Sequence, residues 1–459
     1  MSASPEDTSP PATATGGDPT SASPDLTIDE AMTLAMGLQK HGILDAAAEI
    51  YRRILAAVPD HVNALHFLGL AHHQLEDDEE NKAAIAYVSR AVELAPDYVD
   101  ARNNLGNLLL EQRQLEGAEA AYRGVLERQP EHVPALTNLG TIQRLKDDYE
   151  GAEASFRRAL ALDPKHGEAY HQLGSVLRDT ERHEESLSVF QQALELRPYD
   201  GESYRRIGHA LAAVGRIAEA EATYRRWLDM DPDNPTARHH LAACSGADVP
   251  ERADDAYVKH TFDSFAESFD NVLTRLQYRA PALVVDAMGL VLGAPDASLD
   301  ILDAGAGTGM CGPLLRPFAR RLVGVDLSPG MLERAKARKV YDTLDVGELT
   351  AYMRGWPDTF DVIVSADTLV YFGELGPALA AAAAALRAGG LLVFTVEHAT
   401  DEPPTGFRIN PHGRYSHAEA YVRGALSAAG LLPLSLGHVH LRTESRQPVD
   451  GLLVTARRG

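Results

Sequence analysis

The sequence predicts an α-solenoid followed by an α/β domain built on a parallel sheet, and two observations support this fold class. In the first half of the chain, prolines recur every 34 residues, which is the spacing of a repeated pair of helices. In the second half, the apolar run 299–302 leads into an acid and a cluster of glycines, which is typical of a buried strand that ends in a ligand-binding turn.

Each unit of the repeat carries several recurring residues. A Leu-Gly or Ile-Gly pair marks the first helix, and an aromatic residue follows a small residue by one helical turn in the second. The recurring residues are Pro96, Pro130, Pro164, Pro198 and Pro232, Gly106, Gly140, Gly174 and Gly208, and Tyr122, Phe156, Phe190 and Tyr224. This pattern resembles the tetratricopeptide repeat. The resemblance implies about six units and a capping helix over residues 26–245, stacked into a superhelix with a concave groove.

Three stretches depart from the regular repeat. The first unit carries Ala35 where later units have glycine. The acidic run 76–80 predicts a longer turn between two paired helices. Residues 1–25 are mostly Ser, Thr, Pro, Ala and Gly, so they predict a disordered tail.

Charge limits the partners of the repeats. The chain carries a net charge of −23, and up to Ser245 it has 23 basic and 40 acidic residues. Nucleic acid is therefore excluded as a partner of this half, because phosphate binding needs clustered Lys and Arg. Asn104 and Asn138 recur at one repeat position, which resembles the asparagine ladders that hold peptides in some tetratricopeptide domains. We expect a protein or peptide partner, and a basic one suits the charge; a solvated acidic face is the alternative.

The glycine cluster admits two cofactor classes. Residues 307–312 satisfy the dinucleotide pattern GxGxxG. Asp303, however, stands just before the first glycine, where it would repel phosphates and attract a cationic amino-acid portion, which favours S-adenosylmethionine. A second acid, Asp326, ends the next predicted strand and is placed to accept both ribose hydroxyls.

These residues resemble the first two motifs of the class I S-adenosylmethionine-dependent methyltransferases. The resemblance implies a Rossmann-like domain at 257–459, joined to the repeats by a linker at 246–256. The cofactor-binding residues it implies are Asp303, Gly305, Gly307, Gly309, Asp326, Leu327, Met331 and Asp345. Asp342 competes with Asp345 for the contact to the adenine amino group. The predicted helix from Tyr257 resembles a lid in this family, with Phe265 and Phe269 over the cofactor, although core packing would give the same pattern.

Acceptor and catalytic residues are expected after the fourth strand and in the loop before the last helix. Asp367 and Tyr371 follow the fourth strand, whose carboxyl end faces the transferred methyl in this family. We expect Tyr371 to orient the nucleophile and His417, early in a helix that begins near Ser416, to act as base; a merely exposed histidine is the alternative. Arg414 and Tyr415 are placed to hold an acidic or planar acceptor.

The remaining composition bears on the setting of the protein. Cys244 and Cys311 are the two cysteines, too few for a disulfide framework or a zinc site, so we expect a reducing cytoplasm and no metal. The sequence contains no apolar stretch long enough to span a bilayer.

Together these features predict a methyltransferase whose repeats recruit the acceptor, a protein or peptide. Methylation of a small metabolite, with the repeats serving assembly, is one alternative. An adaptor with a regulatory or inactive cofactor domain is another, but the complete glycine motif and both acids argue against it.

Overall fold

The structure, a computed structural model, describes residues 26–75, 78–444 and 447–459. The predicted tail at 1–25 and the first two residues of the acidic run therefore lie outside the described residues. The chain divides into two compact units, which meet in sequence between Pro164 and Lys165. No helix in the described ranges is long and apolar enough to cross a membrane.

The first unit is a series of helices in which consecutive helices pack in pairs. Their bounds are α1 Ile28–Lys40, α2 Leu44–Ala57, α3 Val62–Gln74, α4 Asp78–Leu94, α5 Val99–Glu111, α6 Leu115–Arg128, α7 Val133–Leu145 and α8 Tyr149–Leu162. The recurring glycine of the first helix lies against the recurring aromatic of the second. A Cβ added at Gly106 would lie 2.6 Å from Cε1 of Tyr122, and one added at Gly140 would lie 2.8 Å from Cε1 of Phe156.

The second unit begins with two further helix pairs and one closing helix, as the repeat pattern predicts. The bounds are α9 Gly167–Asp179, α10 His183–Leu196, α11 Gly201–Ala213, α12 Ile217–Met230 and α13 Pro235–Ser245. Asn234 caps α13 by accepting a hydrogen bond from the Ala237 amide at 2.9 Å. Gly246, at φ +66°, ends this helix in the left-handed conformation.

The rest of the second unit is a sheet with helices on both faces. The strands are β1 Leu299–Ala304, β2 Ala319–Asp326, β3 Thr343–Val346, β4 Phe360–Ser365, β5 Leu386–His398, β6 Phe407–Ile409, β7 Tyr415–His417, β8 Leu431–Glu444 and β9 Gln447–Arg458. The helices are α14 Asp255–Phe265, α15 Phe269–Arg275, α16 Ala280–Leu292, α17 Gly312–Leu315, α18 Pro329–Ala337, α19 Leu349–Arg354, α20 Gly376–Ala385 and α21 Glu419–Ala428, with a short 3-10 helix at Leu369–Tyr371.

Five parallel strands form the centre of this sheet in the order β3-β2-β1-β4-β5. The hairpin of β8 and β9 adds to it through β9, which pairs antiparallel with β5. Alternate residues of β4 enter the two cores: Ile363 packs on one face with α19 to α21, and Val362 and Val364 pack on the other with α16. The continuous apolar run in β4 thus reflects burial on both faces, and the carboxyl ends of the parallel strands share one edge.

Two local predictions are wrong. Residues 78–80 of the acidic run do not lengthen a turn, because they begin helix α4, which has 17 residues. Ser416 does not begin a helix: residues 415–417 form β7, because Glu397 and His398 at the end of β5 pair with Ser416 and His417, and α21 begins only at Glu419. The predicted linker at 246–256 is held against the sheet domain by hydrogen bonds. The Glu251 carbonyl accepts hydrogen bonds from the amides of Gly373 and Glu374, both at 2.8 Å, and the Ala253 amide donates to the Tyr371 carbonyl at 2.8 Å.

The packing of glycine against an aromatic ring can be tested with two matched substitutions. At Gly174 in α9, a Cβ would lie 2.4 Å from Cε1 of the wholly buried Phe190. We therefore expect Gly174→Ala to lower the free energy of unfolding by about 1 to 3 kcal/mol through overpacking. Gly424 in α21 is exposed and has open space, so Gly424→Ala should raise it by about 0.5 to 1 kcal/mol. Urea unfolding of both variants measures the difference; equal changes would contradict the packing argument.

Candidate active site

The turn after β1 is held tightly at its first glycine and is open at its second. The amides of Gly305 and Ala306 both donate to the Val325 carbonyl at 2.9 Å. Gly305 has φ +83°, and a Cβ there would lie 2.1 Å from Oγ1 of Thr368, so only glycine fits. Gly307, at φ +54°, has no atom within 4 Å of the position of a Cβ. The backbone at Gly307 thus borders open space that a ligand can occupy.

Asp326 is fixed beside this opening. One carboxylate oxygen accepts a hydrogen bond from the Gly307 amide at 2.9 Å, and the other accepts one from the Ser328 amide at 2.9 Å. Burial raises the pKa of Asp326, and these backbone hydrogen bonds oppose that effect. Each oxygen keeps a further lone pair, so the carboxylate can accept two more donors, as a ribose diol requires.

The other residues expected near the cofactor divide into two groups. Leu327 is half-buried beside Asp326, where it can line the opening. Met331 is buried in α18, and the space beside Gly309 is filled by Ala335 and Tyr341, so these two positions serve packing in this structure. Their direct contact with a cofactor stays a prediction.

Asp303 lies inside the domain and is wholly buried. One of its oxygens accepts a hydrogen bond from the hydroxyl of Tyr341 at 2.6 Å. The other oxygen, also buried, has no hydrogen-bond partner among the described residues. Burial raises the pKa of Asp303 to about 7, and the Tyr341 hydrogen bond opposes this rise. An ammonium group or an ordered water molecule would donate the hydrogen bond that this oxygen lacks.

The structure separates the two acids that compete for the adenine amino group. Asp342 accepts hydrogen bonds from Arg316 and from the Leu322 amide, both at 2.7 Å, so its carboxylate is already engaged within the domain. Asp345 pairs with Val325 in the sheet, next to Asp326, and accepts a hydrogen bond from the Tyr352 hydroxyl at 2.6 Å. Position therefore favours Asp345 for this contact.

Two short helices are tied to the glycine turn and to the start of α18. Asp270 of α15 accepts hydrogen bonds from Thr308 and Arg338. Asp263 of α14 accepts from the Ser328 hydroxyl at 2.6 Å and the Gly330 amide at 3.2 Å. Phe265 and Phe269 contact each other edge to face, with ring centroids 5.4 Å apart. Both helices are therefore anchored on the cofactor motifs, and their role as a lid stays a prediction.

A network of buried charges occupies the carboxyl ends of β4 and β5. Arg442 of β8 has 3% of its side chain exposed and donates to Asp367 at 2.6 Å, to Glu444 at 2.6 Å and to Glu397. Arg414 donates to Glu397 at 2.7 Å and to Glu444 at 2.6 Å. The expectation that Arg414 is free to hold an acidic acceptor is therefore wrong, because its guanidinium is already paired with two carboxylates.

Asp367 belongs to this charge network, and Tyr371 lies close enough to feel its charges. Asp367 has φ +58°, an uncommon conformation for a residue other than glycine, and its amide donates to Oγ1 of Thr395 at 2.9 Å. Tyr371 packs edge to face on Phe262, with ring centroids 5.4 Å apart. Burial raises the pKa of Tyr371 to about 12, so its hydroxyl can orient a nucleophile at neutral pH but stays protonated.

His417 and Tyr415 are core residues. His417 is wholly buried in β7, where its Nε2 lies 3.1 Å from the Gly373 carbonyl and its ring stacks on Tyr421. Burial lowers its pKa to about 4. The hydroxyl of the wholly buried Tyr415 donates to the Pro250 carbonyl at 2.8 Å. The expectation of an accessible base on a helix is thus wrong, and Tyr415 is not exposed to an acceptor.

In the first unit, the two asparagines expected to bind a peptide already hold neighbouring side chains. The amide nitrogen of Asn138 donates to Asn107 at 3.0 Å and to the Tyr122 hydroxyl at 3.1 Å. The amide nitrogen of Asn104 lies 2.9 Å from Nε2 of His66. No hydrogen bond to either carbonyl oxygen is recorded in the described part of the chain, and peptide binding here stays a prediction.

Several residues of the site were missed from the sequence, among them Arg442, Tyr341 and Tyr278. Arg442 and Tyr341 lie on segments far from their acidic partners, and no local pattern marks them. Tyr278 follows α15, and its hydroxyl lies 3.5 Å from the Ala366 carbonyl, beside the start of the acceptor region. The one sequence feature that could have pointed to Tyr278 as a site residue was its position just after the predicted lid helix. In the described parts of the chain, no group of three or more His, Cys, Asp or Glu residues is arranged to hold a metal ion.

Comparison with known families identifies both parts of the chain. The family described as methyltransferase domain matches residues 302–394. Families described as tetratricopeptide repeat match residues 32–99, 77–132 and 103–167, and residues 166–233. The chain therefore contains tetratricopeptide repeats and a methyltransferase domain, as the sequence predicted, and a methyl donor is implied.

Individual relatives match parts of the chain. Human methyltransferase-like protein 27 is 37% identical over 132 residues, which is 28% of this chain and 52% of that protein. The malonyl-[acyl-carrier protein] O-methyltransferase of Yersinia pestis is 28% identical over 32% of this chain and 52% of its own length. The chain thus spans about half the length of the curated relatives it matches. The crystal structure of MamA is similar with 20% identity and a TM-score of 0.34, over 36% of this chain and 95% of MamA.

The buried carboxyl of Asp303 predicts a pH-dependent stability. Its pKa of about 7 in the folded protein exceeds the ordinary value of 3.8, so the folded state holds a proton that the unfolded chain releases. Stability should therefore fall as the pH rises from about 4 to about 7, by up to a few kcal/mol. Asp303→Asn should remove this loss and be more stable than wild type at pH 8, by urea unfolding without cofactor. Asp286→Asn, at an exposed position of α16, should differ from wild type equally at pH 5 and pH 8.

Proposed function

We propose that this chain transfers a methyl group from S-adenosylmethionine to an acceptor that is a protein or peptide, with the repeats recruiting that acceptor. The observation that carries the cofactor assignment is the Asp326 carboxylate, fixed by the Gly307 and Ser328 amides at the border of open space. A dinucleotide would place phosphates close to this carboxylate and to Asp303, where two acids disfavour negative charge.

The chain's own residues would hold the cofactor at three places. Asp326 would accept from the ribose hydroxyls, and Asp345 would accept from the adenine amino group. Asp303, with its unpartnered oxygen, would satisfy the amino-acid portion through an ammonium group or a water molecule. When bound, S-adenosylmethionine supplies an electrophilic methyl on a sulfonium. The anchored helices α14 and α15 exclude water, and Asp367 and Tyr371 orient the acceptor.

The repeats support a protein or peptide acceptor because helical repeats present surfaces suited to binding chains. Methylation of a small metabolite is the second candidate. The name of the Yersinia pestis relative suggests it only in part, because the malonyl group named there is small but is held on a carrier protein. The carboxylate of Asp326 argues against an inactive adaptor. It is held in a fixed orientation beside open space, and the fold itself does not require that open space.

Cofactor binding is tested by calorimetry on the full chain. We expect S-adenosylmethionine and S-adenosylhomocysteine to bind and a nicotinamide dinucleotide to bind more weakly. Asp326→Ala should weaken binding by about 2 to 4 kcal/mol, because it removes charge-assisted hydrogen bonds to two hydroxyls. Asp286→Ala, on the exposed face of α16, serves as the matched control and should bind as wild type does. Unchanged affinity in a folded Asp326→Ala protein would remove the assignment.

The role of the repeats is tested by removing the first compact unit, residues 26–164. Since every proposed cofactor residue lies in the second unit, affinity for S-adenosylhomocysteine should not change. Incubation with cell extract and cofactor labelled in its methyl group should then show less label in macromolecules than the full chain gives, because the acceptor is no longer held close by. Label confined to small molecules would favour the metabolite candidate. Transfer to no acceptor by a chain that binds cofactor would favour the adaptor.

A further inference from the structure

The charge network at the carboxyl ends of β4 and β5 leaves one negative charge unbalanced. Among the described residues it contains three carboxylates, on Asp367, Glu397 and Glu444, and two guanidiniums, on Arg414 and Arg442. His412 lies 3.7 Å from Glu397. Desolvation lowers the pKa of His412 to about 4 although part of its ring is exposed, so the imidazole adds no charge at neutral pH.

Both arginines of this network are already paired with carboxylates, although no hydrogen bond from Nη1 of Arg414 is recorded among the described residues. All three nitrogens of Arg442 donate to carboxylates, one to each of the three acids. Arg414 divides its donors between Glu397 and Glu444. A carboxylate acceptor entering here would find cations that are already paired and a surplus of negative charge, which would repel it.

Geometry assigns the unbalanced charge to Asp367, although burial raises the pKa of its carboxyl and the charge of Arg442 opposes that rise. One of its oxygens accepts from Arg442, whereas Oδ1 is buried and has no hydrogen-bond partner among the described residues. A buried carboxylate oxygen without a donor is costly, so this position calls for one that the protein itself does not provide. Two tyrosines neighbour Asp367. The hydroxyl of Tyr278 lies 3.5 Å from the carbonyl of the preceding residue, Ala366, and Tyr371 follows four residues later in the chain.

Asp367 also adjoins the cofactor turn. The next residue, Thr368, places its hydroxyl 3.3 Å from the Gly305 carbonyl, and its side chain fills the space where a Cβ of Gly305 would lie. The unpartnered oxygen therefore belongs to the part of the sheet edge where the methyl group would be transferred.

We propose that the acceptor atom is the nitrogen of an amine, and that Asp367 stabilises the positive charge which this nitrogen gains. This inference rests on the proposed function, since it concerns the acceptor of the same site. The neutral amine attacks the methyl carbon with its lone pair, the carbon–sulfur bond breaks, and its electron pair stays on sulfur as a neutral thioether. Positive charge thus moves from sulfur to nitrogen, and a proton on nitrogen can pass to Asp367 or to water. A network with a surplus negative charge favours this movement.

The test uses cofactor analogues, so it needs no knowledge of the acceptor. Sinefungin carries an amine where S-adenosylmethionine carries its methyl, and carboxy-S-adenosylmethionine carries a carboxylate on that methyl. The full chain should bind sinefungin about tenfold or more tightly than S-adenosylhomocysteine, and bind the carboxylate analogue more weakly than S-adenosylmethionine. Asp367→Asn should remove most of the preference for sinefungin and change affinity for S-adenosylhomocysteine less than about threefold.

Two further variants make the result decisive. Asp401→Asn is the matched control, because Asp401 is an exposed acid paired with Arg408 outside the network, and it should bind all four compounds as wild type does. Glu444→Gln removes the same charge from a more exposed member of the network and should reduce the preference for sinefungin by a smaller factor. If Asp367→Asn does not fold, the loss of sinefungin preference is measured on Glu444→Gln instead.

The outcomes separate the two proposals. If S-adenosylhomocysteine binds but sinefungin has no advantage, or keeps it in both network variants, the amine acceptor is wrong while the cofactor assignment stands. Tighter binding of the carboxylate analogue would also overturn it. If neither S-adenosylmethionine nor S-adenosylhomocysteine binds the wild-type chain, the proposed function fails and the inference fails with it.

Discussion

Arg442 lies almost wholly inside the domain, and a guanidinium in that position needs negative partners because an unpaired buried charge costs several kcal/mol. Three strand ends supply them: Asp367 after β4, Glu397 at the end of β5 and Glu444 at the end of β8. The pairing ties the parallel centre of the sheet to its antiparallel hairpin at the edge where ligands bind. It also holds Asp367 beside the cofactor turn, so the acceptor region depends on a residue from the last hairpin.

The loop that supplies Arg414 is in turn held by the final repeat helix. Nε2 of His239 in α13 lies 2.7 Å from the Gly413 carbonyl, and Gly413 has φ +90°. A Cβ at Gly413 would lie 2.9 Å from the hydroxyl of Tyr257, so the loop approaches α13 and α14 closely. Gly413 precedes Arg414, so α13 adjoins the loop that carries an arginine of the charge network. This contact lies within the second compact unit and joins its last repeat helix to the sheet domain.

The two halves of the site use buried acids differently. Asp326 and Asp303 carry no basic partner in the contacts described above; they are held by backbone amides and a tyrosine hydroxyl, which leaves lone pairs for hydroxyl or ammonium donors. The acids near the acceptor are mostly neutralised by two arginines, which leaves the buried Oδ1 of Asp367 without a donor among the described residues. The cofactor half of the site thus recognises its ligand by hydrogen-bond geometry, and the acceptor half recognises the acceptor by charge.

The sequence by itself determined the repeats, the parallel-sheet fold class, the glycine turn and the acids at the ends of β1 and β2. These features can be recognised from the chain alone, because a period of 34 residues, an apolar run and a glycine cluster are all patterns along the sequence. The tertiary structure alone decided which acids remain available. Asp303 is capped by Tyr341, Arg414 is paired with Glu397 and Glu444, and His417 is drawn into a strand by pairing with β5. Each of these outcomes depends on residues brought together by strand register and loop packing, and such contacts leave no pattern in the local sequence.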